Sequence, residues 1–236
     1  MYFILNVRNI QNLIIYGFLN SGFKMNKIFR IINEKFIKYI FILFEICLPK
    51  KNNYWVFCSW DFHFHTIDNP RAIYESVKSD NKICKIVLLK NKNKNYKLSE
   101  DELNVKMINA ESLLGAYYLA VSKVVLIGYA LFGLSSYSKY LTSKHCVVQL
   151  WHGVPLKKIG KLFQGESWWD DETNKYSMLV SSSKMDRVIM HKAFHPIQIS
   201  NVIVSGLPRN ELILKSANLL PDDLFNPVRQ LRNQIK

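Results

Sequence analysis

The chain has 236 residues, 49% of them hydrophobic, and a formal net charge of +14. That length and apolar content suit one large domain, or one and a half, with a sizeable core, and exclude a disordered chain. The charge points to an anionic partner (nucleic acid, anionic lipid or a phosphate-bearing substrate) or else reflects a composition rich in Lys, Asn and Ile.

Residues 1–24 are partly apolar but have neither a basic leading stretch nor a small-residue cleavage site. They read as an N-terminal extension rather than a secretory signal, with Met25 as a candidate start. Residues 25–51 form an amphipathic pattern. Lys27, Arg30, Glu34, Lys38 and Glu45 fall on one helical face, and Ile28, Ile31, Ile32, Phe36, Ile40, Phe41, Leu43 and Phe44 cover the rest. No charge-free run approaches the ~20 residues of a membrane span. Two readings stand here: a helix lying in the interface of an anionic membrane, or one packed on the domain. Pro49 ends the helix.

Beyond it, "NYWVFCSW" (53–60) reads as a strand and "NPRAIYESVK" as a helix, with Asp68 or Asn69 as cap and Pro70 in the first turn. "KICKIVLLK" reads as a buried strand, "NVKMINAES" as a short strand and turn, "SLLGAYYLAVSK" as a helix and "VVLIG" as a strand. "CVVQLWHG", "SMLVSSS" and "NVIVSGLP" are further strands, the last two separated by the helical pattern "KMDRVIMHKAF". There is no internal repeat. Alternating strands and helices with short connections predict an α/β fold with a doubly wound parallel sheet, whose function gathers at the carboxyl ends of the strands.

His152, Ser181 to Ser183 and Gly206 to Arg209 lie at such ends. His152 leads. A neutral imidazole can take a proton from a hydroxyl, and Lys157 and Lys158, with Lys161 one turn further if a helix begins there, can hold phosphate. The other reading is a structural histidine capping a strand. In "SGLPRNE", Gly206 and Pro208 set a tight turn and Arg209 can meet a phosphate bidentately, or it is a plain surface arginine. His63 and His65 share one face with Asp61 nearby, but no third metal-ligand group follows. His191 and His195 lack the glutamate of HExxH, and "SSSK" has no nucleophile-elbow context. Cys47, Cys58, Cys84 and Cys146 have no metal-ligand spacing and read as buried free thiols in a reducing compartment. With no GxGxxG and no P-loop, neither cofactor nor metal is expected.

"QLWHGVPLKKIG" closely resembles the signature of the CDP-glycerol glycerophosphotransferase family of teichoic-acid primases and polymerases and related capsule enzymes. "DNPRAIYE", "YYLAVSKVVLI" and "VSGLPRNEL" resemble three further family stretches in the same order. Val154, where the family has Thr, and Leu207 and Glu211, where it has Tyr and Asp, are departures that bear on substrate preference. So is the lack of the usual glycine in "SWDFHFHTIDNP". The resemblance implies a Rossmann-like N-terminal domain (53–215) of a GT-B enzyme, preceded by a membrane-interface helix (25–51). Residues 216–236 would lead to a C-terminal, donor-binding domain carrying a second essential histidine. It implies transfer of glycerol phosphate from CDP-glycerol to a membrane-anchored polyol-phosphate or glycan acceptor, by a peripheral enzyme on the cytoplasmic face of the cell membrane. His152 would be the base. Lys157, Lys158 and Arg209 would contact phosphate, and Asp68 and Asn69 would line the cleft. Without the second domain the chain is expected to turn over little. The rivals are a GT-B transferase with another nucleotide donor and an inactive half-enzyme that binds membrane or acceptor. Nucleic acid is not an expected partner, because the basic residues are dispersed and no binding motif is present.

Overall fold

The computed structural model describes residues 23–58, 68–89, 100–163, 168–215, 220–221, 224–226, 230 and 234, with side chains undescribed at 23–33, 132, 168–170 and 213. Asp61, His63 and His65 lie outside the described residues, as does most of 216–236. The strands are β1 (Lys51–Cys58), β2 (Cys84–Leu89), β3 (Val105–Asn109), β4 (Ser122–Ile127), β5 (Cys146–Gln149), β6 (Tyr176–Ser181) and β7 (Val202–Val204). The α-helices are α1 (Phe23–Cys47), α2 (Asn69–Val77), α3 (Leu113–Val121), α4 (Trp168–Thr173), α5 (Lys184–Ala193) and α6 (Arg209–Leu214). All seven strands pair in parallel, in the order β3-β2-β1-β4-β5-β6-β7. This is the Rossmann-like, doubly wound sheet that the alternating pattern predicts. The chain reverses its direction of progress between β1 and β4, which opens a crevice at their carboxyl ends.

Successive strand residues point to opposite faces, so neighbours in sequence belong to different cores. Val56, Ile86, Val125, Val147 and Leu179 pack with residues of α1, α3 and α5. Phe57, Val87, Leu126 and Val180 pack on the other face with Tyr74 of α2. The helices begin on side-chain caps. Asp68 Oδ1 accepts the Asn69 N–H at 2.8 Å, Ser112 Oγ the Gly115 N–H at 3.0 Å, and Ser183 Oγ the Asp186 N–H at 3.1 Å. Pro70 sits in the first turn of α2, where its missing N–H costs nothing. Short α4 has no counterpart in the sequence reading. Cys58 and Cys84 are buried as expected, whereas Cys47 is exposed and Cys146 half-buried.

The polar face expected for α1 is corrected in one important respect. Glu45 is buried, in line with Ile37 and Phe41, and this i, i+4, i+8 stripe faces the domain. Burying Ile37 and Phe41 stabilises the docking by about 1.5–3 kcal/mol each, and the Phe41 ring lies 4.8 Å from that of Tyr137. Glu45 is buried because it is fully engaged. Its Oε1 lies 2.6 Å from His145 Nε2, and its Oε2 accepts from Lys50 Nζ and Thr142 Oγ1, both at 3.0 Å. Opposite this stripe, Phe36, Tyr39, Leu43 and Ile46 are exposed (46, 65, 53 and 66%), an apolar strip at i, i+3, i+7, i+10. No helix among the described residues is long and apolar enough to cross a membrane.

Candidate active site

The crevice collects residues from four strand ends. Asp68 and Asn69 open α2, which follows β1; Gly128 follows β4; Trp151 and His152 follow β5; and Arg209 opens α6, which follows β7. His152 is half-buried, with its ring 4.0 Å from that of Trp151 and 5.8 Å from that of Tyr129. Its Nδ1 lies 3.1 Å from the Gly128 carbonyl oxygen. A carbonyl only accepts, so Nδ1 carries the proton and donates it, which leaves the Nε2 lone pair of the neutral ring as an acceptor. Burial holds the imidazole below its ordinary pKa and the Arg209 charge pushes the same way; the Gly128 bond and the Asp68 charge oppose them without cancelling. The ring is therefore neutral, and able to accept a proton, at pH 7.

The backbone around His152 is held in a costly shape. Trp151 has φ +53°, a left-handed conformation that a bulky side chain rarely adopts and that costs about 1–3 kcal/mol. Gln149 Oε1 accepts the Trp151 N–H at 2.9 Å, and Gln149 Nε2 donates to the Tyr129 carbonyl at 2.6 Å. Asn69 Nδ2 donates to the Trp151 carbonyl at 2.7 Å and to the Leu150 carbonyl at 3.1 Å. Gly128, which supplies the carbonyl for His152, has no room for a side chain: a Cβ there would come within 2.9 Å of Asp68 Oδ2 and 3.1 Å of Pro70 Cδ. Close approach of α2 to the end of β4 thus requires glycine.

The remaining predicted residues divide. Arg209 reaches the His152 loop, where its Nη2 lies 3.5 Å from a Cβ placed on Gly153, and among the described residues its guanidinium makes no ion pair. Asp68 caps α2 and acts on His152 through its charge. Asn69 is fully buried, its amide committed to backbone. Lys157 and Lys158 are exposed on the segment after His152. No helix starts there; residues 153–159 are irregular, and a single 3-10 turn, Gly160–Leu162, follows. The helix-start phosphate cradle considered for this stretch is therefore absent. The serine run is structural: Ser183 caps α5, Ser182 donates to Asp186 Oδ2 and Ser181 to the Ile203 carbonyl. His191 Nδ1 sits 2.9 Å from the Ile197 carbonyl. Among the described residues no group of three His, Cys, Asp or Glu side chains converges on a metal position.

Residues 40–225 match the family described as CDP-glycerol:poly(glycerophosphate) glycerophosphotransferase. The chain belongs to this family. The teichoic acid poly(glycerol phosphate) polymerase of Bacillus subtilis (strain 168) is 25% identical over 209 residues, which cover 83% of this chain and 27% of that protein. The solved wall teichoic acid polymerase TagF aligns with 84% of this chain and 51% of its own, at TM-score 0.64 and 19% identity. A variant of it soaked with CDPG aligns with 84% of this chain and 52% of its own, at TM-score 0.64 and 18% identity. At that identity the likeness to TagF shows the fold alone. The chain spans about a quarter of the Bacillus subtilis relative and about half of the solved chains.

Every residue of the crevice described above falls inside the segment that matches the glycerophosphotransferase family. Gln149 escaped the sequence reading, although a lone amide in the apolar run "CVVQLW" was a usable signal. The placement of the two charges beside His152 makes a signed prediction. Arg209→Gln removes a cation and is expected to raise the pH at which the His152 ring protonates. Asp68→Asn, which keeps the cap, is expected to lower it. A histidine-ring NMR titration reads both, and shifts of the same sign contradict the placement.

Proposed function

We propose that this chain carries the base-bearing half of a GT-B glycerophosphotransferase, acting in synthesis of a teichoic-acid or capsule-type surface polymer. The observation that carries the reading is the neutral His152 imidazole, with Nδ1 tied to Gly128 and Nε2 left as the proton acceptor, inside the family's matched segment. In the reaction, Nε2 takes the proton of an acceptor hydroxyl. That oxygen bonds to the glycerol-bearing phosphorus of CDP-glycerol, the bond from this phosphorus to the oxygen of the CMP phosphate breaks, and CMP leaves with that oxygen. Arg209 is suited to offset charge on the phosphoryl oxygens, and Lys157 and Lys158, exposed on the segment that follows His152, are candidates to meet donor or acceptor phosphates. A C-terminal domain would present the donor across the cleft.

The test is CMP release from CDP-glycerol with a polyol-phosphate acceptor, by this chain alone and with the second half of a teichoic acid polymerase supplied. CDP-ribitol and a sugar nucleotide run in parallel. Acceptor-dependent release from CDP-glycerol, abolished in His152→Ala, supports the proposal. Preferential turnover of a sugar nucleotide moves the reading to another transferase. No turnover with any donor in either setting, with membrane binding intact, reduces the chain to a binding module.

The exposed strip Phe36, Tyr39, Leu43 and Ile46 supports placing α1 in a membrane interface; the cytoplasmic face, where a lipid-linked acceptor would be met, belongs to the same proposal. Leu43→Glu with Ile46→Glu is expected to abolish co-flotation with vesicles containing phosphatidylglycerol while leaving helix content and urea stability unchanged, because both side chains are exposed. Undiminished flotation would contradict the placement.

A further inference from the structure

The Asn69 side chain joins the loop carrying His152 to the helix carrying Arg209. It is fully buried. Its Nδ2 donates to the Leu150 and Trp151 carbonyls at 3.1 and 2.7 Å, and its Oδ1 accepts the Arg209 N–H at 3.0 Å. Its own backbone is fixed by the Asp68 cap, 2.8 Å from the Asn69 N–H. The two segments it joins come from strands that are not neighbours, since β6 lies between β5 and β7. The sheet ladders reach from one to the other only through β6, so no direct backbone pairing joins the two segments beyond the strand ends.

We infer that Asn69 is a positioning residue: it locks the left-handed turn at Trp151, aims the His152 ring into the crevice, and sets the start of α6, and so Arg209, against it. The chemistry requires an amide. Two carbonyls need a donor and one N–H needs an acceptor, and Asn supplies both from a short, stiff side chain. Aspartate has the same shape and can still accept from Arg209, but its carboxylate cannot donate to the two carbonyls. Asn69→Asp therefore breaks the His152 side of the clamp and leaves the α6 side in place. The strained Trp151 then lacks one of the restraints that hold it, and the His152 ring is free to turn away from Gly128.

The kinetic arm of the test rests on the proposed transfer reaction; the spectroscopic arm does not. In 15N spectra of the histidine rings of this chain, the parent His152 is expected to show a single tautomer protonated on Nδ1. Asn69→Asp is expected to show a mixture of tautomers at His152 while the rings of His145 and His191 are unchanged. In the transfer assay, kcat is expected to fall about 100-fold with donor KM within about twofold, the signature of a misplaced base rather than a lost binding contact. Asn69→Ser, which removes the amide without adding a buried charge and releases Arg209 as well, is read by the His152 ring spectrum alone should the carboxylate prevent folding. A folded variant with the parent His152 ring spectrum overturns the inference. A rise in KM alone makes Asn69 a substrate contact and overturns it equally. An altered ring spectrum together with no donor turnover, even with the second half of a teichoic acid polymerase supplied, upholds the clamp and removes the transfer reading instead.

Discussion

Glu45→Ala is expected to destabilise the chain by about 1–3 kcal/mol, because it leaves the part-buried Lys50 and the buried His145 without the acceptor they share. Lys50 donates to Glu45 and to the Ala120 carbonyl, and His145 faces Glu45 at 2.6 Å with its other ring nitrogen buried and unpartnered among the described residues. Removing the carboxylate leaves Lys50 only the Ala120 carbonyl and takes the Nε2 partner from His145, at the junction of α1, α3 and the start of β5. Glu45→Gln, which keeps the shape and some hydrogen bonding, is expected to cost less. Urea unfolding measures both, and a loss below about 1 kcal/mol for Glu45→Ala would mean that the cluster contributes little. The pH dependence has a definite sign. Burial alone pushes the Glu45 carboxyl up, but the hydrogen bonds and charges of His145 and Lys50 outweigh it and hold the folded pKa below the ordinary value. A depressed carboxylate pKa adds stability above the unfolded value of about 4.3, and that stability is lost as pH falls through the folded value. Docking of α1 is therefore expected to hold at neutral pH and to fail in acid, whereas Glu45→Gln should flatten this dependence.

His152→Ala is expected to lower glycerol phosphate transfer by about 100- to 10,000-fold, the range that a positioned general base contributes. The fold should survive. The ring is half-buried, its Nδ1 bonds the Gly128 carbonyl at the end of β4, and the core of the sheet is built from other side chains. The drop should appear in kcat and kcat/KM together, because the proton transfer occurs only on the way to the transition state. A folded His152→Ala protein that keeps its full rate would exclude His152 as the base.

The sheet was legible from the sequence because parallel strands buried on both faces read as near-continuous apolar runs, as in "CKIVLL", broken only by Lys85, and "CVVQ", which ends in Gln149. The cap at Asp68 was legible for a local reason: Asp before Asn-Pro supplies an acceptor where the first helical N–H groups need one. The orientation of α1 was not. Ile and Phe occur all round it, so periodicity offered no single buried stripe, and a glutamate in such a helix reads as solvent-facing. Glu45 is buried because His145 answers it from 100 residues away in sequence, and nothing local marks such a pair. The residues of the crevice were visible as types: a histidine at a strand end, an Asp-Asn pair, an arginine after Gly-Leu-Pro. Their directions were not visible. That Asn69 turns inward to bond backbone, and that Lys157 and Lys158 point to solvent rather than open a helix, depends on how loops from non-adjacent strands meet.

The state of the His152 ring carries the whole account, and a 15N NMR titration of the unmodified chain measures it directly. The proton should reside on Nδ1 in the neutral ring, and the ring should protonate below the ordinary histidine value of about 6.5. A ring protonated on Nε2, or one that titrates above that value, would leave no base facing the crevice at neutral pH and would contradict the account.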